Sequence, residues 1–369
     1  MKLSVDDLGV FFTDAHVQLG ARLKAAAPKL DVDHDRGAAE ALAEAGLFEL
    51  VVGTIDTRSL CLAREMLGYV SPRADSIFAV QGLGTQPIVL AGSEAQRATL
   101  EAFARGASIA AFALTEPDAG SDVAAIKTHA APTRDGYRLD GEKLFISNLG
   151  IADHATVIAT TDPELGSAGL TAFWVPLDTP GVTVKPLVAT APHPIGSLHL
   201  QGVTVPASAR IGAVGQGMKL ALQTLDAFRV SVGAAAVGMA RRAFDEALAF
   251  VKQRVQFGKP LAEQPLIQAH LADMVVDLDA ARLLVLRAAH LKDTTGGRVT
   301  TEVSIAKLGA TEAASRVIDR AVQLFGGRGV MAGAVVEHLY RAIRPLRIYE
   351  GTSEIQRTII GRALAQGAK

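Results

Sequence analysis

Apolar residues recur at helical spacing over three long stretches in the C-terminal part of the chain. The stretches cover residues 218–254, 266–291 and 301–325, and each carries an apolar stripe opposite a polar face. The first is rich in alanine and almost uninterrupted, with Leu222 and Met239 among its apolar positions. Long amphipathic helices bury such stripes against each other, so the pattern predicts a helical bundle.

The N-terminal part of the chain shows the same texture in shorter segments. Residues 37–50 and 94–104 are rich in Ala and Leu, with apolar positions spaced as on one face of a helix. Both segments are therefore predicted to be helical. We assign residues 1–109 to an N-terminal helical domain and residues 213–369 to a C-terminal helical bundle domain.

Between these parts the hydrophobic pattern changes from helical to β. Residues 155–161, 170–175, 182–186 and 197–200 are rich in β-branched and aromatic side chains, and Gly, Pro and Asp separate them at short intervals. No helical segment alternates with these strands, which favours an antiparallel sheet or a small barrel over a parallel sheet. Residues 110–212 are thus a predicted middle β domain, and the fold class is α+β, mainly α.

Composition narrows the class of protein. The chain has 369 residues, enough for two or three packed domains, and 49% hydrophobic with 20% charged residues is typical of a globular protein. The net charge of −1 gives no electrostatic footprint for nucleic acid or for an anionic membrane. We therefore expect neither as a partner.

The cysteine and histidine content and the N-terminal residues exclude further classes of protein. The single Cys61 leaves no internal disulfide and no cysteine-based zinc site, and the nine histidines show no metal-binding spacing, so no metal is expected. The first residues are acidic where a signal peptide would be basic, and we find no run of about 18 apolar residues without charges. A cytoplasmic protein without a membrane span is the expectation.

One acidic residue near the C-terminus lies in a segment that could position it for catalysis. Glu350 follows Tyr349 and precedes Gly351, which permits a sharp turn, and Ser353 and Gln356 have the spacing of a capping box that begins a helix. Backbone N–H groups at a helix start can bind an anion, so the turn could present a carboxylate to a bound substrate. Taken alone, however, the segment is more typical of an ordinary charged loop.

A second segment, residues 111–122 (Ala-Phe-Ala-Leu-Thr-Glu-Pro-Asp-Ala-Gly-Ser-Asp), runs from an apolar strand into a Pro/Gly turn. Thr115 and Ser121 offer small donors, and Gly120 permits close backbone approach. Such a turn suits a planar polar ligand or a phosphate. Its composition alone, however, is more typical of a plain strand-to-turn junction.

Together with three further segments, these two resemble the signatures of the acyl-CoA dehydrogenase family, in the family's order. The three are residues 141–148 (Gly-Glu-Lys-Leu-Phe-Ile-Ser-Asn), 254–274 from Arg-Val-Gln-Phe-Gly-Lys-Pro-Leu onward, and 306–329 ending in Phe-Gly-Gly-Arg-Gly. The resemblance implies a helical N-terminal domain, a middle β domain and a C-terminal four-helix bundle. It also implies bound FAD and a homo-oligomer, a tetramer or at least a dimer.

The resemblance assigns expected roles to residues that match the family's motifs. Cofactor contacts are implied for Phe112, Leu114, Thr115, Gly120, Ser121, Phe145, Ser147, Arg254, Phe257, Gln323, Gly326, Gly327, Thr352 and Glu354. Of these, Arg254, Phe257 and residues 323–327 would reach the FAD of a neighbouring subunit. Substrate contacts are implied for Ser121, Asp226, Phe228, Arg229, Tyr349 and Gly351.

Glu350 matches the family's catalytic base. Some members place the base one residue before the position of Arg229, but this chain has Phe228 there, which cannot take a proton. The implied reaction is removal of a proton from Cα of an acyl thioester to Glu350 and of a hydride from Cβ to flavin N5. In the family, the backbone N–H at the base polarises the thioester carbonyl.

The chain also departs from the family pattern. The N-terminal domain is short, Pro265 replaces a Gln in the adenine-contact segment with Gln264 beside it, and residues 191–195 replace a loop with Gly and Arg. Pro265 affects an implied adenosine contact. The short N-terminal domain and residues 191–195 border regions that shape substrate access, and they leave a carrier-protein thioester open beside acyl-CoA as the substrate. Phe228, bulky beside the implied acyl pocket, suggests a short or compact acyl group.

Three functions follow from the resemblance. The first is an FAD-dependent acyl-CoA dehydrogenase that passes electrons to an electron-transfer flavoprotein. The second is an oxidase, or a dehydrogenase on carrier-bound thioesters in biosynthesis. The third is a non-catalytic FAD- or CoA-binding partner subunit, which the presence of Glu350 disfavours.

Overall fold

The computed structural model describes residues 1–296 and 299–367. The helices are α1 (Asp14–Ala26), α2 (Asp35–Glu44), α3 (Thr57–Val70), α4 (Pro72–Ala91), α5 (Glu94–Ala104), α6 (Gly217–Gln253), α7 (Pro265–Thr295), α8 (Thr300–Phe325), α9 (Val335–Ile343) and α10 (Ser353–Ala365). The strands are β1 (Ala110–Ala113), β2 (His129–Pro132), β3 (Gly136–Ser147), β4 (His154–Thr160), β5 (Leu170–Pro176), β6 (Val182–Pro186), β7 (Ile195–Pro206), β8 (Arg210–Ile211), β9 (Val255–Gln256) and β10 (Lys259–Pro260).

The three long C-terminal helices and the helix at residues 94–104 are confirmed. One prediction was too long, because α2 ends at Glu44 and a short 3-10 turn covers Phe48–Leu50. Gly46 has a φ of 63° just beyond the helix end, a conformation that terminates helices and that glycine adopts without strain. The fold is mainly helical with a β-sheet in the middle, as predicted.

The sheet has the strand order β6-β7-β3-β2-β4-β5-β8, and β1 pairs with β4. Most neighbours are antiparallel, but β1 pairs with β4 in parallel, and β2 and β4 meet in parallel at one residue pair. The prediction of an antiparallel sheet is therefore right for most of the sheet and wrong for β1. A parallel neighbour needs a long connection, which residues 114–153 supply through β2 and β3.

Contacts divide the chain into two compact units. The first consists of residues 1–31, 56–75 and 229–369, and the second of residues 32–55 and 76–228. All strands of the large sheet belong to the second unit, whose core fills one sheet face with side chains such as Phe173. The division into three domains at residues 109 and 212 stays a prediction.

In the first unit, α6, α7, α8 and α10 form the helical bundle. Helices α7 and α10 both pack on α8, and Gly233 of α6 lies where a Cβ would be 2.8 Å from Val285 of α7 and 3.2 Å from Ala310 of α8. Small residues thus let the axis of α6 approach both neighbours. Within the described residues, α6 is the one helix long and apolar enough to cross a membrane, and 72% of its most apolar window is buried. A core helix meets the same test, so this property assigns no membrane.

Gly238→Ala is expected to destabilise the protein. A Cβ at Gly238 in α6 would lie 2.1 Å from the backbone oxygen of Glu65 in α3, so the helices must separate, at a cost of roughly 1–3 kcal/mol for overpacking. The matched control is Gly361→Ala in α10, where a Cβ meets nothing within 4 Å, and there the better helix propensity of alanine should stabilise by about 0.5–1 kcal/mol. Thermal unfolding of both variants measures this, and equal melting temperatures would contradict the close helix contact.

Candidate active site

Glu350 lies in a turn between residues Arg344–Arg347 and the start of α10, which we call the Glu350 turn (residues 348–352). Its own φ is 53° and that of Gly351 is 89°, so two consecutive residues are left-handed. Such a conformation costs a non-glycine residue roughly 1–2 kcal/mol and persists only where the surroundings enforce it. The strain therefore requires an explanation in the contacts of the turn.

The explanation lies in buried donors that fix the two carbonyls of the turn. Arg229 of α6 donates from Nε to the Glu350 carbonyl at 3.0 Å. Lys307 of α8 donates from Nζ to the Gly351 carbonyl at 2.8 Å. Gln356 of α10 donates from Nε2 to both carbonyls, at 3.4 Å and 3.0 Å. Side chains from three helices thus hold the backbone of the turn in one conformation.

The capping box predicted from Ser353 and Gln356 is wrong. The residue that caps α10 is Thr352, whose Oγ1 accepts a hydrogen bond from the N–H of Ile355 at 3.3 Å. Ser353 is the first helical residue, and its hydroxyl donates instead to Glu312 of α8 at 2.6 Å. Glu312 also pairs with Arg347 at 2.8 Å, so one carboxylate of α8 ties down both flanks of the Glu350 turn.

The Glu350 carboxylate is not used for this anchoring. Its Oε2 is buried and has no hydrogen-bond partner among the described residues, and in the same part of the chain its backbone N–H donates no hydrogen bond. A buried, unpartnered acceptor is costly in a folded protein, and so calls for an explanation such as a catalytic role. The turn therefore offers a free acceptor and a free donor from one residue.

Burial raises the pKa of Glu350, because removal from water disfavours the charged carboxylate. Arg64, Arg229 and Lys307 oppose this rise with their positive charges, and Asp75 adds to it. Burial also lowers the pKa of Lys307 to about 8. The site thus holds a carboxylate whose affinity for a proton exceeds the ordinary value and which remains surrounded by cations.

In the second unit, a buried ion pair joins the two segments predicted to face the cofactor. Lys143 of β3 contacts Glu116 at 2.8 Å and donates to the Leu114 carbonyl at 3.1 Å. Glu116 also accepts from the N–H groups of Lys127 and Thr128. The N–H of Leu144 donates to the Thr115 carbonyl at 2.9 Å. Leu114 and Thr115 are therefore fixed against β3.

Phe145 is presented outward at an irregularity in β3. The pairing of β3 with β7 shifts register between Lys143 and Ile146, and Phe145 there has a φ of 58° and is 62% exposed. Bulges re-aim side chains in this way. Ser147 and Phe112 are half-buried on their strands, and Gly120 and Ser121 lie exposed in the turn after β1, with nothing within 4 Å of a Cβ at Gly120.

The remaining predicted residues fall into further groups. Asp226 is half-buried on α6, and Phe228 is fully buried against Gly82 in the second unit. At one end of the first unit, Phe250 stacks on Phe325 with centroids 4.4 Å apart. This stacking joins the C-terminal end of α6 to the C-terminal end of α8. Five of the predicted cofactor residues lie exposed near these two helix ends: Arg254, Phe257, Gln323, Gly326 and Gly327. Glu354 is exposed on α10 and is not one of the residues that bind the carbonyls of the Glu350 turn.

Sequence analysis missed several residues that shape the Glu350 turn. Arg64 and Asp75 form a buried ion pair whose charges act on Glu350, and Lys307 and Gln356 had been noted only within motifs. A signal was present for Lys307, since one lysine interrupts the apolar face of α8 between Ala306 and Ala310. In the described part of the chain, no group of three or more His, Cys, Asp and Glu side chains could hold a metal ion.

Two family models match this chain. The model for the acyl-CoA dehydrogenase C-terminal domain matches residues 215–365, and the model for the acyl-CoA dehydrogenase middle domain matches residues 111–203. Together they match more than half of the 369 residues.

Relatives of known name are similar over most of the chain. The short-chain specific acyl-CoA dehydrogenase of Megasphaera elsdenii is 41% identical over 315 residues, 84% of this chain and 82% of that protein. A solved chain from work on the electron transferring flavoprotein of Acidaminococcus fermentans has a TM-score of 0.91 at 32% identity, covering 96% of this chain and 98% of that one. The glutaryl-CoA dehydrogenase of Mycobacterium smegmatis in complex with FADH2 has a TM-score of 0.90 at 28% identity, covering 100% and 98%.

Proposed function

Since the chain belongs to the acyl-CoA dehydrogenase family and is therefore an oxidoreductase, we propose that it desaturates an acyl-CoA between Cα and Cβ with Glu350 as the base. One observation carries the proposal. The Glu350 carboxylate has a buried Oε2 without a partner, on a strained turn that other side chains hold rigid. A carboxylate kept free in a rigid position is what proton abstraction from a bound substrate needs.

In the proposed reaction, Oε2 of Glu350 takes the proton from Cα of the thioester. The free backbone N–H of Glu350 is the donor we assign to the thioester carbonyl, where negative charge develops as the proton leaves. Arg229, Lys307 and Gln356 hold the carbonyls of Glu350 and Gly351, the two peptides that follow the Glu350 Cα. With the backbone fixed on this side of the Cα, the N–H and the carboxylate of Glu350 have less freedom to move relative to each other. The rigid turn thus orients the base and the donor before the substrate binds.

The pKa of the base suits this role. An ordinary glutamate, with a pKa of about 4.3, is a weak base at neutral pH, and catalytic glutamates are commonly tuned toward ~6–7. Burial moves the pKa of Glu350 in that direction. An acyl chain that displaces the remaining water would raise it further.

The residues of this chain fit FAD. In the second unit, Phe145 is an exposed aromatic side chain at a bulge, Thr115 and Ser147 offer hydroxyls, and Gly120 leaves open the space that a Cβ would fill. FAD, when bound, supplies the hydride acceptor for Cβ. We assign Phe112, Leu114, Thr115, Phe145 and Ser147 to its ring, and Gly120 and Ser121 to its phosphates.

An oligomer is part of the proposal. Phe257 is 94% exposed with a φ of 52°, and Arg254 with residues 323–327 forms an exposed set at the same end of the first unit. Exposed aromatic and glycine residues of this kind suit contact with FAD held by a second copy, as the family pattern implies. A homotetramer is the form we propose.

We further propose a short acyl group and an electron-transfer flavoprotein as electron acceptor. Phe228 packs closely against Gly82, because a Cβ added at Gly82 would lie only 2.4 Å from the phenyl ring of Phe228. The Megasphaera elsdenii relative is named short-chain specific, and one similar chain comes from work on an electron transferring flavoprotein. A thioester on a carrier protein is the second candidate, which the short N-terminal domain and the departure at residues 191–195 keep open.

Anaerobic titration of the FAD-loaded protein tests the proposal. Short acyl-CoA thioesters are expected to bleach the flavin absorbance, long-chain acyl-CoA to do so weakly, and electron-transfer flavoprotein to restore turnover. Carrier-bound thioesters and oxygen are the comparison arms, with peroxide as the readout for an oxidase. A protein that binds no FAD, or whose flavin no thioester reduces, would overturn the proposed function.

A further inference from the structure

Helix α7 carries apolar residues on its solvent face as well as on its core face. The core face includes Met274, Leu278 and Val285, which are buried. A second set at helical spacing, which we call the outer stripe, consists of exposed residues: Pro265, Ala269, Ala272, Val276, Ala280 and Leu283. None of them is charged, and residues 265 to 283 of a helix span about 27 Å. The outer stripe is thus a long apolar surface in contact with water.

A solvated helix of the same protein has a different outer face. On α5 the exposed residues include Glu94, Arg97 and Glu101. On the outer stripe of α7, Val276 is 69% exposed and Leu283 is 46% exposed. Single exposed apolar residues are common, but an extended apolar surface marks an interaction site, and a helix that is apolar on all sides is normally covered on all sides. The outer stripe therefore calls for a partner.

The charges beside the outer stripe narrow the kind of partner. Asp273 and Asp279 flank it and are exposed, and Arg287 follows one turn beyond its end. Helices that bind an anionic membrane carry Lys and Arg on these flanks, so the acidic flanks favour a protein surface. Within the chain, Asp273 lies 3.4 Å from Arg320 and Arg287 lies 3.9 Å from Glu302. One side chain of each pair is more than half exposed, and such pairs contribute little to stability.

The outer stripe is complementary in shape to a second copy of itself. When two α7 helices run antiparallel with a two-fold axis at the level of residue 278, Val276 of each copy lies opposite Ala280 of the other. Leu283 of each copy then lies beside Ala272 of the other. Each large side chain therefore meets a small one, which is the arrangement that lets two helices interdigitate closely.

The charges are complementary about the same axis. Arg287 of one copy comes level with Ala269 of the other, one turn from Asp273. Helical side chains point toward the N-terminus of their own helix, so Arg287 and Asp273 of the two copies lean toward each other. The two-fold axis repeats the pair, and each contact would contain two ion pairs.

We propose that the outer stripe of α7 is a two-fold contact between two copies of this chain. The inference deepens the homo-oligomer of the proposed function, because it names a surface made of other residues than the exposed set at the ends of α6 and α8. A tetramer built as a dimer of dimers needs two different kinds of contact. The outer stripe supplies one of them.

Sedimentation velocity of the FAD-loaded protein tests the contact. Val276→Glu places a carboxylate opposite Ala280 of the other copy, twice in each contact, so the dissociation constant should rise by at least about 10²-fold and the mass of the assembly should halve. Val17→Glu on α1 is the matched control. Val17 is 53% exposed, but Asp14, Gln18 and Arg22 are exposed on the same helix, so this variant should keep the wild-type mass.

Mixing two charge variants tests the pairing itself. Asp273→Arg brings like charges together in the contact, and so does Arg287→Asp, so each variant alone should associate at least about tenfold more weakly than the wild type. A mixed pair of the two variants has opposite charges at both positions. Incubating the two variants together should therefore restore the wild-type mass, which could not happen if either residue acted only within its own chain.

The outcomes separate this inference from the proposed reaction. A Val276→Glu protein of wild-type mass, or charge variants that mixing does not restore, would overturn the contact and leave the reaction to the flavin titration. A monomeric wild type would overturn the contact and the homo-oligomer together, and the thioester titration would still decide the reaction. An unchanged mass with slower reoxidation by electron-transfer flavoprotein would assign the outer stripe to that partner and overturn the inference.

Discussion

Glu350→Gln is expected to lower the rate of flavin reduction by roughly 10²–10⁴-fold, the usual contribution of a positioned general base. Glutamine keeps the shape of the side chain, so the turn, its carbonyl anchors and the free backbone N–H stay in place. KM should change little, because the amide removes proton acceptance rather than binding. Anaerobic stopped-flow reduction of the flavin by a short acyl-CoA measures the chemical step directly.

The same substitution is expected not to destabilise the folded protein, and to stabilise it at neutral pH. The pKa of Glu350 is raised in the folded state, so between its unfolded and folded values the native protein binds more protons than the unfolded chain. Stability from this group is therefore lost as the pH rises through that window. Glutamine has no such dependence, and melting temperatures of both proteins across acid to neutral pH check the sign.

The control for this prediction is Glu101→Gln on α5. Glu101 is a surface residue whose side chain pairs only with the exposed Arg105 at 3.0 Å, so its loss should change neither rate nor stability appreciably. If Glu350→Gln reduces its flavin as fast as Glu101→Gln does, Glu350 is not the base. A large loss of melting temperature in Glu350→Gln would instead show that the carboxylate has a structural partner.

The elements that sequence predicts well here are those whose signal is long and local. The stripes of α6, α7 and α8 repeat over many turns, so few competing structures bury the same residues. Glu350 is identified from sequence because its segment matches a family motif, whereas the local Tyr349-Glu350-Gly351 turn alone is more typical of an ordinary charged loop. For such features the hydrophobic period or a short motif contains the information.

Other features depend on residues far apart in the chain, which no local pattern reveals. Ser353 and Gln356 have the spacing of a capping box, but a partner on α8 and the carbonyls of the Glu350 turn compete for their side chains, and tertiary contacts win. Arg64 and Asp75 are separated from Glu350 by more than 270 residues. The parallel pairing of β1 with β4 is equally non-local, because each residue of β1 pairs with a residue 44 positions later.

Gly351→Ala is expected to lower kcat by about 10²-fold, as a misplaced catalytic group does when it moves by about 1 Å. With a φ of 89°, an alanine there is strained by roughly 1–2 kcal/mol. Its Cβ would also lie 2.5 Å from Nε2 of Gln356, the buried amide that holds both carbonyls of the turn. The amide must move, and the Glu350 carbonyl then keeps only its bond from Arg229.

Gly333→Ala separates the two parts of this effect. Gly333 has a φ of 91°, almost the value at Gly351, but a Cβ there meets nothing within 4 Å. It should cost the same roughly 1–2 kcal/mol of backbone strain in thermal unfolding and leave kcat unchanged. Because the two variants share the strain, any further loss of rate in Gly351→Ala belongs to the displaced amide. Equal rates in both variants would mean that Gln356 does not position Glu350, and that Arg229 and Lys307 suffice to hold the base.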